Sequence, residues 1–163
     1  FEALAAIILE RLECESVFFT PQSHDQGVDA FGYRHIFPTL PKAVSHKLVW
    51  IAQAKHYVGH SISTNAIREL VGTSELLLSR IFSTVDEKYK ELKLAPYGPA
   101  ALVVITTHEF PSSVRRLAER SGVFLLEASD IFDLFKKDTK SIKNLQNFEK
   151  FIDGKSKNIP TLQ

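Results

Sequence analysis

Three polar residues fall in an order suited to phosphoryl chemistry: Asp29 after Gly27-Val28, then Gln53 and Lys55 at the end of an apolar run. A carboxylate can hold a hard divalent cation, which prefers oxygen ligands. A nearby lysine can stabilise a pentavalent phosphate or help lower the pKa of an attacking water. Gln53 can add a neutral carbonyl oxygen, the backbone carbonyl of Ala54 another, and Glu2 a second carboxylate from the first helix. A blander reading stays open on the residues alone. A buried strand that reaches solvent turns polar, and Asp29 can cap a turn; Gln-Ala-Lys by itself is structural more often than catalytic. The context favours chemistry: a sheet strand, an acid-to-lysine order, then a helix.

The apolar pattern supplies the elements that must hold these groups. Apolar residues at 1, 4, 5, 8, 9 and 12 predict an opening helix, with Glu10 opposite the stripe and Glu2 and Glu13 at its edge. Residues 14–20 predict a short strand and 21–27 a polar loop. Residues 28–35 read as a strand with Asp29, Phe31 and Tyr33 on one side and Ala30 and Gly32 on the other. Residues 46–57 predict a central strand, placing Ile51, Gln53 and Lys55 on one face and Trp50, Ala52 and Ala54 on the other. A helix from Ser63 carries Ile67, Leu70 and Val71; Gly72 ends it, and Thr73 or Ser74 caps another running to about Leu94. A buried strand over 100–107 follows, of the kind found in parallel sheets. Ser112 or Ser113 caps the next helix, Gly122 closes it, 123–126 is a short strand, and Asp130 starts a helix through Phe135. The Lys- and Asn-rich tail shows no firm period until Phe148, Phe151 and Ile152. This order describes a mixed α/β domain, hairpin-like early and crossover-built later.

Composition bounds the function classes. The chain has 163 residues, long enough for one domain with a core that needs no disulfide or structural metal. With 44% hydrophobic and 24% charged residues it is globular rather than disordered. A lone cysteine, Cys14, excludes an internal disulfide and a cysteine-rich zinc module, and points to a reducing compartment. No apolar run approaches the roughly 18 residues that cross a bilayer, and the start carries no signal-peptide pattern. A chain that opens at Phe1 and contains no Met reads as a piece of something longer. Its net charge of +1 leaves a local basic patch as the route to nucleic acid.

Gly27-Val28-Asp29, Gln53-Ala54-Lys55-His56-Tyr57, Ile67-Arg68-Glu69-Leu70 and Val103-Val104-Ile105-Thr106-Thr107 stand in that order. Together they resemble the Mrr-like restriction endonuclease catalytic domain, of the PD-D/E-x-K nuclease superfamily. The resemblance runs from Phe1-Glu2 through Phe110, Ser112 and Ser113 to Phe135. It implies an α/β fold with a restriction-endonuclease-like core: a central mixed sheet of four to five strands flanked by helices. The nuclease domain would span 1–137, with 138–163 a C-terminal extension or the start of a linker. The implied activity is that of a type II-like phosphodiesterase, a metal-dependent DNA endonuclease from a restriction-type system, modification-dependent enzymes included.

In that resemblance Asp29 is the core metal ligand and Lys55 the catalytic lysine. Gln53 takes a position acidic in most of the superfamily, and Glu2 completes the site. Mg²⁺, with Mn²⁺ able to substitute, is held by Asp29, Gln53, Ala54 and Glu2. The implied partners are double-stranded DNA, a second copy in a homodimer, and a further DNA-recognition domain in the parent chain; the implied location is the prokaryotic cytoplasm. Departures are the long segments at 36–46 and 74–98, and Glu127-Ala128 where relatives carry an acidic residue and Gly.

Lys42, Lys47, His56 and His60, with Arg115 and Arg116 at a helix start, form the candidate set for DNA phosphates. His24, Asp25, His35, His46 and His108-Glu109 read as surface or structural residues, and the His spacings make no zinc set. There is no nucleophile elbow and no phosphate-binding P-loop. Two alternatives keep the fold: a structure-selective nuclease of the Holliday junction resolvase type, and a catalytically silent DNA-binding module, to which Gln53 lends weight by its missing charge. An unrelated Rossmann-like domain is disfavoured by the lack of a glycine-rich loop after any strand.

Overall fold

The protein is described by a computed structural model over residues 2–20, 27–36, 46–55, 62–79, 98–138 and 145–161. Its elements in chain order are α1 (Glu2–Arg11), β1 (Ser16–Phe19), β2 (Ala30–Ile36), β3 (His46–Ala54), α2 (Asn65–Leu78), β4 (Ala100–Ile105), α3 (Ser112–Ser121), β5 (Val123–Leu126), α4 (Ala128–Phe135) and α5 (Leu145–Ser156). A 3₁₀ turn, Lys136–Asp138, follows α4. The segments 37–45 and 80–97, which hold most of the two expected insertions, lie outside the described residues.

The strands form one mixed sheet in the order β1-β2-β3-β4-β5. The first three are antiparallel; β3–β4 and β4–β5 are parallel. Strand alternation sorts the apolar side chains into two cores. Phe31, Ile51 and Val104 face α2 and α3, whereas Ala30, Ala52, Val103 and Ile105 face α1, α4 and α5. β4 is covered on both faces, which is why its sequence is continuously apolar.

Three helix boundaries differ from the expectation. Gly72 does not end a helix: α2 runs from Asn65 through Gly72 to Leu78. A glycine in a helix interior costs about 1 kcal/mol. Burying Ala66, Ile67, Leu70, Ser74 and Leu77 along one continuous stripe outweighs that. Ser74 caps nothing; its hydroxyl donates back to the Val71 carbonyl at 2.8 Å. The N-cap of α3 is Pro111, with neither serine capping, although Gly122 closes the helix in the left-handed conformation at φ 67° as expected. Helix α4 starts at Ala128, capped by Glu127 in a reciprocal capping box with Asp130.

α1 is buried on more than its predicted stripe. Leu4 to Leu9 are all buried, because α5 and α4 pack on the side away from the sheet. Phe148 and Phe151 of α5 stack edge-on against Phe135, at 5.4 and 6.0 Å between ring centres. Pro160 then accepts a hydrogen bond from the Phe19 amide at 3.0 Å, fastening the tail beside β1.

The turn between α1 and β1 carries Glu13 at φ 64° and lays Cys14 against Gly32. A Cβ at Gly32 would stand 2.7 Å from Cys14 Sγ, so the glycine makes room for the thiol. Burial pushes the Cys14 thiol up to about 12. On the order of a thousandfold less thiolate is then present than for an ordinary cysteine. Iodoacetamide at pH 8 is therefore expected to label Cys14 orders of magnitude more slowly in the native protein than in denaturant. Equal labelling rates would show that the thiol is not held in this contact.

Candidate active site

The site lies where β1 finishes, β2 starts and β3 finishes. Gly27 enters it in the left-handed conformation at φ 76°, and Val28 is fully buried. Asp29, at 8% exposure, is tied by its backbone: its amide donates to the Ala52 carbonyl at 2.9 Å, and its own carbonyl accepts from the Thr20 amide at 3.1 Å. The Thr20 hydroxyl donates to the Val28 carbonyl, pinning the same segment. The carboxylate reaches across to β3, where Oδ2 accepts from the Ala54 amide at 2.5 Å. The acid expected from the sequence and the Gln53–Lys55 segment therefore touch directly.

Gln53 is 1% exposed, and neither its Oε1 nor its Nε2 has a hydrogen-bond partner among the described residues. A Cβ at Gly27 would lie 2.6 Å from that Nε2, so the glycine leaves open the space into which the amide projects. Lys55 follows the last residue of β3 with its amide bonded to the Ile105 carbonyl at 2.9 Å. Its Nζ forms an ion pair with Glu69 Oε2 of α2 at 3.2 Å. Strand alternation places Gln53 and Lys55 on the α2 face, as their shared spacing with Ile51 requires.

Glu2 stands in the first turn of α1. That helix packs on β1, β2 and β3 and joins β1 through only four residues, 12–15, so it must run back along the sheet. Its first turn accordingly lies toward the end that carries Asp29 and Gln53. Among the described residues no three His, Cys, Asp or Glu side chains converge on one point. The donors at this end are oxygens of mixed origin instead: the Asp29 carboxylate, the Gln53 amide and the backbone carbonyl of Ala54.

The DNA-contact candidates separate. Lys42, His56 and His60 lie outside the described residues. Lys47 sits at the other end of β3, opposite His35 in register, with Nζ 4.1 Å above the Tyr33 ring. Six residues of strand, about 20 Å, separate it from Gln53. His35 there bonds Glu15, Nδ1 to Oε2 at 2.8 Å, and its backbone and ring hold the Glu15 carboxyl below its ordinary range. Arg115 is engaged by Glu127 and donates through Nε to the Phe110 carbonyl at 3.1 Å. Arg116 points the other way, toward α2.

Glu69 and Thr20 are the site-shaping residues that the sequence reasoning did not single out. Glu69 stood in the quoted motif and on the outward side of the Ile67–Leu70 stripe, but its partner is fixed only by the approach of α2 to β3.

The family model described as "Restriction endonuclease", the Mrr catalytic domain, matches residues 1–135. No curated protein matches the chain. Two solved structures share the fold. "DNA modification-dependent restriction endonuclease AspBHI" has a TM-score of 0.61 at 16% identity, over 94% of this chain and 34% of that one. "MspJI Restriction Endonuclease in Complex with 27-mer Oligonucleotide" has a TM-score of 0.55 at 17% identity, over 82% of this chain and 26% of that one. The chain thus spans about a quarter to a third of the length of these neighbours. With the family match covering most of its length, the chain belongs to the Mrr-type restriction endonuclease catalytic-domain family.

Proposed function

We propose that this chain cuts double-stranded DNA by hydrolysing phosphodiester bonds with a divalent cation, Mg²⁺ with Mn²⁺ able to substitute. The observation that carries the reading is Gln53. An amide buried to 1% exposure, with both polar atoms unpartnered among the described residues, is a state that ordinarily costs about 1–3 kcal/mol. Such a group calls for a ligand or an ordered water. The surrounding donors are all oxygens, which fits a hard cation.

In this reading Asp29, Gln53 Oε1 and the Ala54 carbonyl hold the cation, with Glu2 completing the set from α1. The cation supplies the charge that lowers the pKa of an attacking water and offsets the charge growing on phosphorus. The bond from the Ala54 amide fixes the Asp29 carboxylate in one orientation. Lys55 presents a fixed ammonium to the phosphate, and Glu69 holds that ammonium in place; preorganised charge of this kind needs no rearrangement during reaction.

The substrate we assign is modified DNA. One structural neighbour is named as modification-dependent and the other was solved with an oligonucleotide, which supports that assignment. Their greater length supports a separate recognition domain in the parent protein. Cutting both strands favours a homodimer. In this reading the nuclease domain spans 1–137 and a C-terminal extension spans 138–163, whose helix α5 packs on α1. No helix among the described residues is long and apolar enough to cross a membrane. The cytoplasm, where DNA is met, is the place we assign.

Methylated and unmethylated plasmids incubated with Mg²⁺ or Mn²⁺, and with EDTA, test the reading. Cutting that EDTA abolishes and either metal restores is expected. Cutting that persists in EDTA, or binding by the full-length protein with no cutting in any metal, would sink it; the second result would assign a silent DNA-binding module. Cutting confined to four-way junctions would assign the resolvase type.

A further inference from the structure

The seam between α2 and α3 contains a groove of about 280 Å³, lined by Thr64, Arg68, Ser113, Arg116, Leu117 and Arg120. We propose that this groove binds backbone phosphates of the DNA held at the active site. The proposal rests on the nuclease reading and extends it to substrate positioning.

Three arginines meet in this groove, and no carboxylate lines it. Arg116 and Arg120 stand one turn apart on α3, a like-charge spacing that weakens a helix. Packing does not require them there. The inward residues of α3 are Val114 and Ala118, and the three arginines are exposed. Four other cations are each neutralised by a carboxylate: Arg34 by Glu13, Lys55 by Glu69, Arg115 by Glu127 and Lys136 by Asp133. Among the described residues Arg68, Arg116 and Arg120 have no such partner. Arg68 Nη1 instead donates to the Thr64 hydroxyl at 3.3 Å, which orients the guanidinium at the mouth of the groove.

Convergent guanidinium groups with hydroxyl neighbours and a lining leucine suit a phosphodiester and its sugar: planar forks for the oxygens, an apolar surface for the deoxyribose carbons. Position selects the strand at the site over a free anion. Arg68 adjoins Glu69, whose carboxylate holds the Lys55 ammonium at 3.2 Å. The helix bearing Arg116 follows β4, whose last residue bonds the Lys55 amide. One groove arginine is therefore the chain neighbour of the glutamate that holds the proposed catalytic lysine. This also separates Arg116 from Arg115, whose charge is spent on Glu127.

The test is fluorescence anisotropy on the full-length protein with a labelled methylated duplex in EDTA, across a salt series. It compares wild type, Arg68→Gln/Arg116→Gln/Arg120→Gln, and a control, Lys137→Gln/Lys155→Gln/Lys157→Gln, with charges on the α4–α5 side of the sheet. The groove variant is expected to bind at least about 10-fold more weakly at physiological salt, and its log–log salt slope to shrink by about 2–3. The control should keep the wild-type slope. Thermal melting of the groove variant at the wild-type temperature establishes that it is folded, as expected for three exposed side chains. A second variant, arginine to lysine at all three positions, is expected to retain the slope.

Equal affinity and slope in wild type and groove variant would overturn the proposal and leave the nuclease reading standing. An equal loss in the control would also overturn it, because the effect would then be general charge. Failure of the wild-type protein to bind duplex at all would overturn both readings together.

Discussion

Lys55→Ala is expected to lower the rate of DNA cleavage by at least about 10²–10³-fold while leaving the fold intact. Lys55 directly follows the last residue of β3, two positions after Gln53, and its partner Glu69 is more than half exposed. Exposed pairs of this kind contribute about 0–1 kcal/mol, so the melting temperature should move by no more than about 4 °C. Asp29→Asn provides the matching experiment from the other side. The amide oxygen can still accept from the Ala54 N–H, so the 2.5 Å link between β2 and β3 has a substitute, but the negative charge is gone. Cleavage should fall as steeply in this variant at every Mg²⁺ concentration, again with little change in stability. Either protein cutting at the wild-type rate would remove that residue from the chemistry.

Gly27→Ala is expected to damage stability and activity together. The position sits at φ 76°, where a side chain costs about 1–2 kcal/mol, and the added Cβ would lie 2.6 Å from Gln53 Nε2. Gln53 cannot swing clear, because it is buried in the centre of the sheet between Val104 in register and the α2 face. Overpacking of this sort adds about 1–3 kcal/mol. Together these predict a fall in melting temperature of about 4–20 °C and a loss of cleavage of about 10²-fold or more. The clash makes a second, sharper expectation. Gly27→Ala combined with Gln53→Ser should recover much of the stability, since the shorter side chain vacates the space, and should not recover cleavage. Additive losses in that double-mutant cycle would show that Gly27 and Gln53 do not share the space.

Much of the site was legible because period-two alternation is rigid. Once 46–57 is read as a strand, Gln53 and Lys55 must share a face with Ile51, and β3 places them so. The left-handed caps were readable for the same kind of local reason, Gly122 ending α3 as its type demands. Gly72 misled because propensity is a weak prior: a glycine stops a helix only where no stripe of burial continues past it, and Ser74 and Leu77 continue it.

By itself, then, the amino-acid sequence determined the strand faces, the apolar order of an α/β domain and the acid-amide-lysine set, since these follow from spacing along one chain. Tertiary structure alone decided what spacing cannot carry. The burial of Ala6 and Ile7 off the predicted stripe of α1 depends on α4 and α5 arriving over it. The pairing of Lys55 with Glu69 depends on where α2 lands, the engagement of Arg115 by Glu127 on the α4 cap, and the meeting of Arg68 with Arg116 and Arg120 on two helices crossing the same face of the sheet. Each joins residues distant along the chain, and their approach is set by how the two cores pack rather than by any local preference.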